Sequence, residues 1–128
     1  MPLIVQKFGG TSVASAEKIH RAARRAVKAR LDGYDVVLVV SAMGKTTDHL
    51  IALAREVTPR PPRREMDMLL TTGEQVSIAL MAMAIDAAGH RAISLTGGQL
   101  GLVTTGVHTA ARIKRISRAR IEPDLQDG

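Results

Sequence analysis

A lysine, two glycines and two hydroxyls stand together in Lys7-Phe8-Gly9-Gly10-Thr11-Ser12, between the apolar run Leu3-Ile4-Val5 and a long helical pattern that begins near Ser15. That order suits phosphate. Glycines let the backbone approach an anion closely, and free amides at a helix start donate to it. The lysine adds a positive charge at the end of the strand. An ordinary strand-to-helix turn that needs glycine for its dihedrals has the same composition, so the spacing alone leaves both readings open.

Three other groups invite chemistry. Gly44-Lys45-Thr46 resembles the end of a P-loop, but the G-x-x-x-x-G-K-[ST] pattern puts its first glycine at position 39, which is Val39. Without that glycine the loop cannot wrap phosphates, and a Walker A site is rejected. The Ser41, Thr46 and Thr47 hydroxyls still follow a strand, at the end where α/β sheets bind ligands. In Thr71-Thr72-Gly73-Glu74-Gln75, Glu74 suits either a helix N-terminus, which favours negative charge, or a substrate ammonium group. His20, His49, His90 and His108 lack metal-site spacing, and the methionines read as core filler.

The elements that position these residues follow from periodicity. Pro2 to Phe8 reads as a strand. Ala14 to Asp32 reads as a helix capped by Ser12 or Ser15, with Gly33 past its end. Asp35 to Val40 is a second strand whose VVLVV run predicts burial on both faces of a parallel sheet. A helix from Thr46 to Val57 ends at Pro59, Pro61 and Pro62. Arg64 to Leu70 predicts a short helix, Thr72 to Glu74 a break, and Gln75 to Ala88 an apolar helix stopped by Gly89. Arg91 to Leu95 predicts a third strand, Leu102 to Thr104 and Ile113 to Ile116 short strands, and Glu122 to Gln126 a last helix. Strands alternating with helices predict a three-layer α/β/α fold on a mostly parallel central sheet.

The 128 residues suffice for one domain, with 45% hydrophobic content but a single Phe and a single Tyr, so the core is aliphatic. The absence of cysteine excludes a disulfide scaffold, a thiolate metal site and a cysteine nucleophile. It fits a reducing cytoplasmic setting. No targeting segment is legible, and Val76 to Ala88 is too short to span a bilayer, so no membrane partner is expected. The net charge of +6 suits anionic partners. Its clusters read as solvated helix faces, and without stacking aromatics or a reader motif no nucleic acid is expected.

Four ordered segments resemble the aspartate kinase branch of the amino-acid kinase family: KFGGTSV at 7–13, VVSAMGKTTD at 39–48, REMDMLLTTGEQVS at 64–77 and SLTGGQLGLVTT at 94–105. The resemblance implies transfer of phosphate from ATP to the side-chain carboxylate of L-aspartate, giving 4-phospho-L-aspartate. That step opens lysine, threonine and methionine biosynthesis and, in bacteria, diaminopimelate biosynthesis. It implies Lys7 as the catalytic cation, with Phe8, Gly9, Gly10 and Ser12 on the ATP phosphates. Ser41 and Thr47 would bond the aspartate, and Glu74 would take its ammonium group. Mg²⁺ would be bound through the phosphates rather than by a protein metal site. It also implies that residues 1–128 are the N-terminal portion of a catalytic domain, with the nucleotide-binding half and the regulatory ACT domains outside them. A second polypeptide supplying that half, or a homo-oligomer, is then a partner to expect. The rival expectations are a non-catalytic amino-acid-binding or regulatory module and, more weakly, a basic nucleic-acid-binding domain.

Overall fold

The computed structural model describes residues 1–128. Strand β1 (Leu3–Phe8) leads through a 3₁₀ turn at Gly10–Val13 into helix α1 (Ala16–Leu31), which returns the chain to β2 (Asp35–Val40). The two strands pair in parallel, Leu3 opposite Asp35 through Phe8 opposite Val40. A parallel pair needs such a crossover. Helix α1 starts at Ser15, whose Oγ accepts the Lys18 amide at 3.3 Å. It ends before Gly33, which takes the left-handed φ of +98° that favours glycine. Arg30 Nη1 donates to Asp35 Oδ1 at 2.9 Å, tying the end of α1 to the start of β2.

Helices α2 (Thr46–Val57) and α3 (Arg63–Ala87) follow. The expected break at Thr72–Glu74 does not occur: α3 is one helix of 25 residues through Gly73. The reason is local packing. Gly73 is buried, and a Cβ there would meet Ala42 Cβ at 3.1 Å and Thr46 Cγ2 at 3.2 Å. The glycine lets α3 lie close against the start of α2 rather than ending a helix. Gly73→Val is therefore expected to destabilise the protein by about 1–3 kcal/mol through overpacking, read as a lowered Tm in thermal unfolding. An unchanged Tm would show that the contact has room to spare.

The core lies on one face of the strand pair. Phe8, Val13, Ile19, Ala22, Ala23, Met81 and Ala84 form it, with Leu38, Val40, Met43 and Ile85 packed around them. The alanine stripe of α1 lets α3 approach closely, so α1 and α3 together form a helical layer over Ile4, Gln6 and Phe8. The next residues along β1 face the other way. There Leu3, Val5 and Val39 are 54%, 59% and 48% exposed, so no layer covers that face. The VVLVV run was expected to be buried on both faces. It is instead half-buried throughout, apart from exposed Val39.

The segment expected as a third strand also differs. Arg91–Leu95 belongs to no helix or strand, and its backbone groups make no backbone hydrogen bond. A strand forms only against a partner, and β2 pairs on one edge alone. Past it, β3 (Leu102–Thr104) and β4 (Ile113–Ile116) form a separate antiparallel hairpin, and α4 (Ile121–Gln126) ends the chain. The hairpin loop is held to α3 by Asp67, which accepts the Thr109 amide at 3.1 Å and lies 3.0 Å from His108 Nδ1.

Helix α3 is about 37 Å long at 1.5 Å per residue. Its mean hydropathy reaches 1.4 over 18 residues, so it is long and apolar enough to cross a bilayer, unlike the shorter span expected from the sequence. It nevertheless gives Gly73, Ser77, Met81 and Ala84 to the interior. Its other side leaves Val76 and Met83 at 52% and 65% exposure.

Only 12 of the 128 residues are buried, few for this length, because one face of the two-stranded sheet is uncovered and both its edges are unpaired. Large exposed apolar surfaces drive association. The 128-residue chain in isolation is therefore expected to self-associate and to unfold over a broad transition. Light scattering during a thermal ramp checks this, and a clean monomer with a sharp transition would refute it.

Candidate active site

Because β1 and β2 are parallel, their carboxyl ends lie side by side, and each opens into a polar loop. The first is Gly9–Ser12 and the second Ser41–Lys45. Backbone bonds join the two: the Ser41 amide donates to Phe8 O at 3.2 Å and the Gly44 amide to Gly10 O at 2.9 Å. Gly10 is required by this approach. A Cβ on it would stand 2.9 Å from Ala42 O and 3.1 Å from Gly44 O, both backbone atoms that cannot swing aside. Gly44 has a φ of +52°, which also favours glycine. Gly9 is different: a Cβ there meets nothing within 4 Å, so its glycine leaves space open rather than fitting a contact.

Lys7 precedes buried Phe8 and points to the opposite, uncovered face of the sheet, where its side chain is exposed. Its backbone is fixed by the ladder opposite Val39. Gln6, Lys7, Phe8, Ser12 and Arg25 line an open cavity of about 270 Å³ at the end of β1. Gln6 Oε1 is buried there without a hydrogen-bond partner. The Arg25 guanidinium carbon lies 5.9 Å from the centre of the Phe8 ring. The Arg25 cation and Ser12 beside a glycine turn suit an anion, with the Lys7 side chain set on the other face of the strand.

Sequence reasoning missed Arg25, because on α1 it reads as part of the charged outer face. It also missed Gln6, whose polar side chain sits in an otherwise apolar strand. The signal for Gln6 was available: it occupies the inward position of the period-two alternation between Ile4 and Phe8.

Ser41 is half-buried and Thr47 exposed at the first turn of α2. Thr46 uses its hydroxyl within the loop, donating to Met43 O at 2.6 Å. Glu74 is exposed on α3, immediately after the Gly73 that packs on Ala42 and Thr46. Thus the segments around Lys7, Ser41, Thr47 and Glu74 converge at the carboxyl ends of the strand pair. The fourth segment, 94–105, is not drawn in by any hydrogen bond. Thr96 and Gln99 bond each other instead, the Thr96 amide to Gln99 Oε1 at 2.9 Å and the Gln99 amide to Thr96 Oγ1 at 3.2 Å. No three His, Asp or Glu side chains come together to hold a metal ion.

Gly10→Ala is expected to part the two loops. The clash is with backbone, so the cost is about 1–3 kcal/mol, and the Gly44–Gly10 bond is lost with it. Thermal unfolding with amide exchange at Gly44 checks this. Gly9→Ala is the control, expected to leave both unchanged.

A polar turn after each of two adjacent parallel strands, at the carboxyl end of the sheet, is the ligand-binding arrangement of open α/β proteins. The chain belongs to the amino acid kinase family, whose model matches residues 2–128. It is 56% identical over all 128 residues to the aspartokinase of Bacillus sp. (strain MGA3), spanning 31% of that protein. It is likewise 56% identical to the aspartokinase of Mycolicibacterium smegmatis, spanning 30% of it. The fold matches a crystal structure of aspartate kinase from Synechocystis with a TM-score of 0.87 at 50% identity, covering 98% of this chain and 20% of that one. The chain therefore spans about a third of the length of these relatives, and its architecture is that of an amino-acid-kinase α/β fold in part.

Proposed function

We propose that this chain is the acceptor-binding, phosphate-facing part of an aspartate kinase. The observation that supports the site is the stitching of the Gly9–Ser12 turn to the Ser41–Lys45 loop, which sets a glycine turn suited to an anion beside a polar loop suited to an acceptor. The choice of acceptor is supported by identity of 56% to aspartokinases along the whole chain.

In this reading a side-chain carboxylate oxygen of L-aspartate attacks the γ-phosphorus of ATP. The bond from that phosphorus to the β–γ bridging oxygen breaks, and the electron pair leaves on ADP. The carboxylate is already ionised at neutral pH, so no protein base or nucleophile is needed. Positioning and charge stabilisation carry the reaction. Lys7 offsets negative charge on the moving phosphoryl group. The Gly9 and Gly10 amides, with Phe8 and Ser12, hold the phosphates. Ser41 and Thr47 bond the aspartate, and Glu74 takes its ammonium group. Mg²⁺ would arrive on the ATP phosphates and would neutralise phosphate charge there. A cytoplasmic setting fits these metabolite substrates.

The test is calorimetric titration of L-aspartate into the polypeptide, followed by a coupled ADP-release assay. Glu74→Ala is expected to weaken aspartate binding by about 10–100-fold, the worth of a charged hydrogen bond of roughly 1.5–3 kcal/mol. An unchanged aspartate KM would remove Glu74 from the substrate. Aspartate binding without phosphate transfer in a polypeptide of the relatives' length would instead favour a non-catalytic amino-acid-binding module.

A further inference from the structure

The loop at the tip of the β3–β4 hairpin, residues 106–111, is hydrogen-bonded to the rest of the fold through one side chain alone. Asp67 of α3 accepts the Thr109 amide on both carboxylate oxygens, at 3.2 and 3.1 Å, and its Oδ2 lies 3.0 Å from His108 Nδ1. An ionised carboxylate only accepts, so Nδ1 is the donor of that third bond. The loop's other bonds stay within the hairpin. The Ala110 amide donates to Val107 O at 3.3 Å, and two bonds between Thr105 and Arg112 close the base at 2.9 and 3.0 Å. Thr109 has a φ of +63° and is the one residue other than glycine with a positive value. A β-branched residue takes that conformation only where its surroundings hold it there. The strain and the three bonds mark the same point, a latch between the hairpin and α3.

The place of the latch ties it to the acceptor site. Met81 and Ala84 of α3 belong to the core with Phe8. Gly73 packs on Ala42, just past the carboxyl end of β2. Toward its amino end, α3 therefore leaves the sheet and rises past the mouth of the site. Asp67 lies six residues beyond Gly73 in that direction, about 9 Å along the axis. At about 100° per residue, Asp67 and Glu74 lie within roughly 20° of each other around the helix. The latch thus stands on the same side of α3 as Glu74 and about 10 Å farther out, which leaves room for a small amino acid between them.

We propose that Asp67 is a positioning residue for the acceptor: through Thr109 and His108 it holds the hairpin tip as the outer rim of the site, covering the amino acid on its solvent side. The inference rests on the acceptor reading given above, in which Ser41, Thr47 and Glu74 bind the amino acid. Transfer of phosphate to a carboxylate competes with transfer to water. A rim over the acceptor excludes water and keeps the reacting oxygen in place. Asp67 itself touches neither substrate. Its effect is the fraction of molecules whose rim is in place when the acceptor binds.

Steady-state kinetics of the polypeptide as its gene encodes it test the latch. Asp67→Ala is expected to raise the aspartate KM by roughly 5–50-fold, from the loss of hydrogen bonds to a charged group, with the ATP KM moving by no more than about twofold. It is also expected to release ADP in excess of the acyl phosphate trapped by hydroxylamine, because water then attacks the γ-phosphorus in the acceptor's place and gives inorganic phosphate. Thr109→Pro removes the donated amide and cannot take a positive φ. It is expected to act like Asp67→Ala, and the two together to be no worse than either alone, since both cut one latch. Thr109→Gly keeps the amide and eases the φ, and is expected to leave the aspartate KM unchanged. Amide exchange at Thr109 is expected to be slow in the unsubstituted polypeptide, slower with L-aspartate bound, and fast in Asp67→Ala. An unchanged aspartate KM in Asp67→Ala, where Glu74→Ala does weaken aspartate, would overturn the latch and leave the acceptor site standing. So would additive effects of Asp67→Ala and Thr109→Pro. An unchanged aspartate KM in Glu74→Ala would instead overturn the acceptor site and the rim with it.

Discussion

The 128-residue chain, purified alone and given L-aspartate, ATP and Mg²⁺, is expected to release no ADP above background. Phosphoryl transfer needs the acceptor oxygen, the phosphorus and the leaving oxygen held in line, and that alignment is worth about 7–11 kcal/mol of the barrier. Under the proposed roles the chain holds only an acceptor loop, Ser41–Lys45, and a phosphate turn, Gly9–Ser12, joined by two backbone bonds. Lys7, however, stands on a sheet face where Leu3, Val5 and Val39 are open to water. Charges exposed in water stabilise a transition state far less than charges in an enclosed site. No second wall encloses that face, where under the proposed roles the nucleotide would lie. Loss of an alignment worth several kcal/mol takes turnover from ordinary kinase rates to below detection. A coupled ADP-release assay checks it. Turnover by the bare chain that Lys7→Ala abolishes would show that 128 residues suffice.

How far the sequence foretold this molecule depended on whether the relevant partner lies within the chain. Helix α1 was legible because its stripe of Ile19, Ala22 and Ala23 meets α3 and Phe8, which are both present. The run Asp35–Val40 was legible as a strand, but its double-sided burial was not met. Hydrophobic composition records the neighbours a strand is built to have, and one face of this sheet has none here. Arg91–Leu95 failed as a strand for the same reason, since its pattern is right but nothing bonds it. Gly73 misled in a different way. Glycine signals a helix break by default, and only the closeness of Ala42 and Thr46 reveals that it marks a contact. For the site, residue type and motif order nominate Lys7, Phe8, Gly9, Gly10, Ser12, Ser41, Thr47 and Glu74. What gathers them was not legible, because the Gly44–Gly10 and Ser41–Phe8 bonds are made by backbone atoms that every residue carries. Arg25 escaped because a charged residue on a helix looks the same whether it faces solvent or an anion niche.

Replacing Lys7 is expected to separate chemistry from folding most sharply. In a polypeptide of the relatives' length, Lys7→Ala should lower kcat by about 10²–10³, the loss seen when one preorganised charge donor is removed from a transition state. The aspartate KM should move by no more than about twofold, since under the proposed roles the amino acid is held by Ser41, Thr47 and Glu74. The lysine is well placed for this effect. Its backbone is locked in the ladder opposite Val39, so the base of the side chain does not wander. Its neighbours Phe8 and Gly9 lead directly into the Gly9–Ser12 turn proposed to hold the phosphates. The same exposure that leaves Lys7 without a packing role makes its truncation cheap, within about 0.5 kcal/mol of stability. An unchanged Tm alongside a collapsed kcat would therefore locate the loss in the chemical step. Lys7→Arg keeps the charge but broadens and displaces it, and should recover only part of the rate, because the two cations are not equivalent at a point contact. If Lys7→Ala instead raised the aspartate KM at constant kcat, the lysine would belong to the acceptor and not to the phosphoryl group. The charge opposing the phosphates would then have to come from Arg25, which lines the cavity at the end of β1.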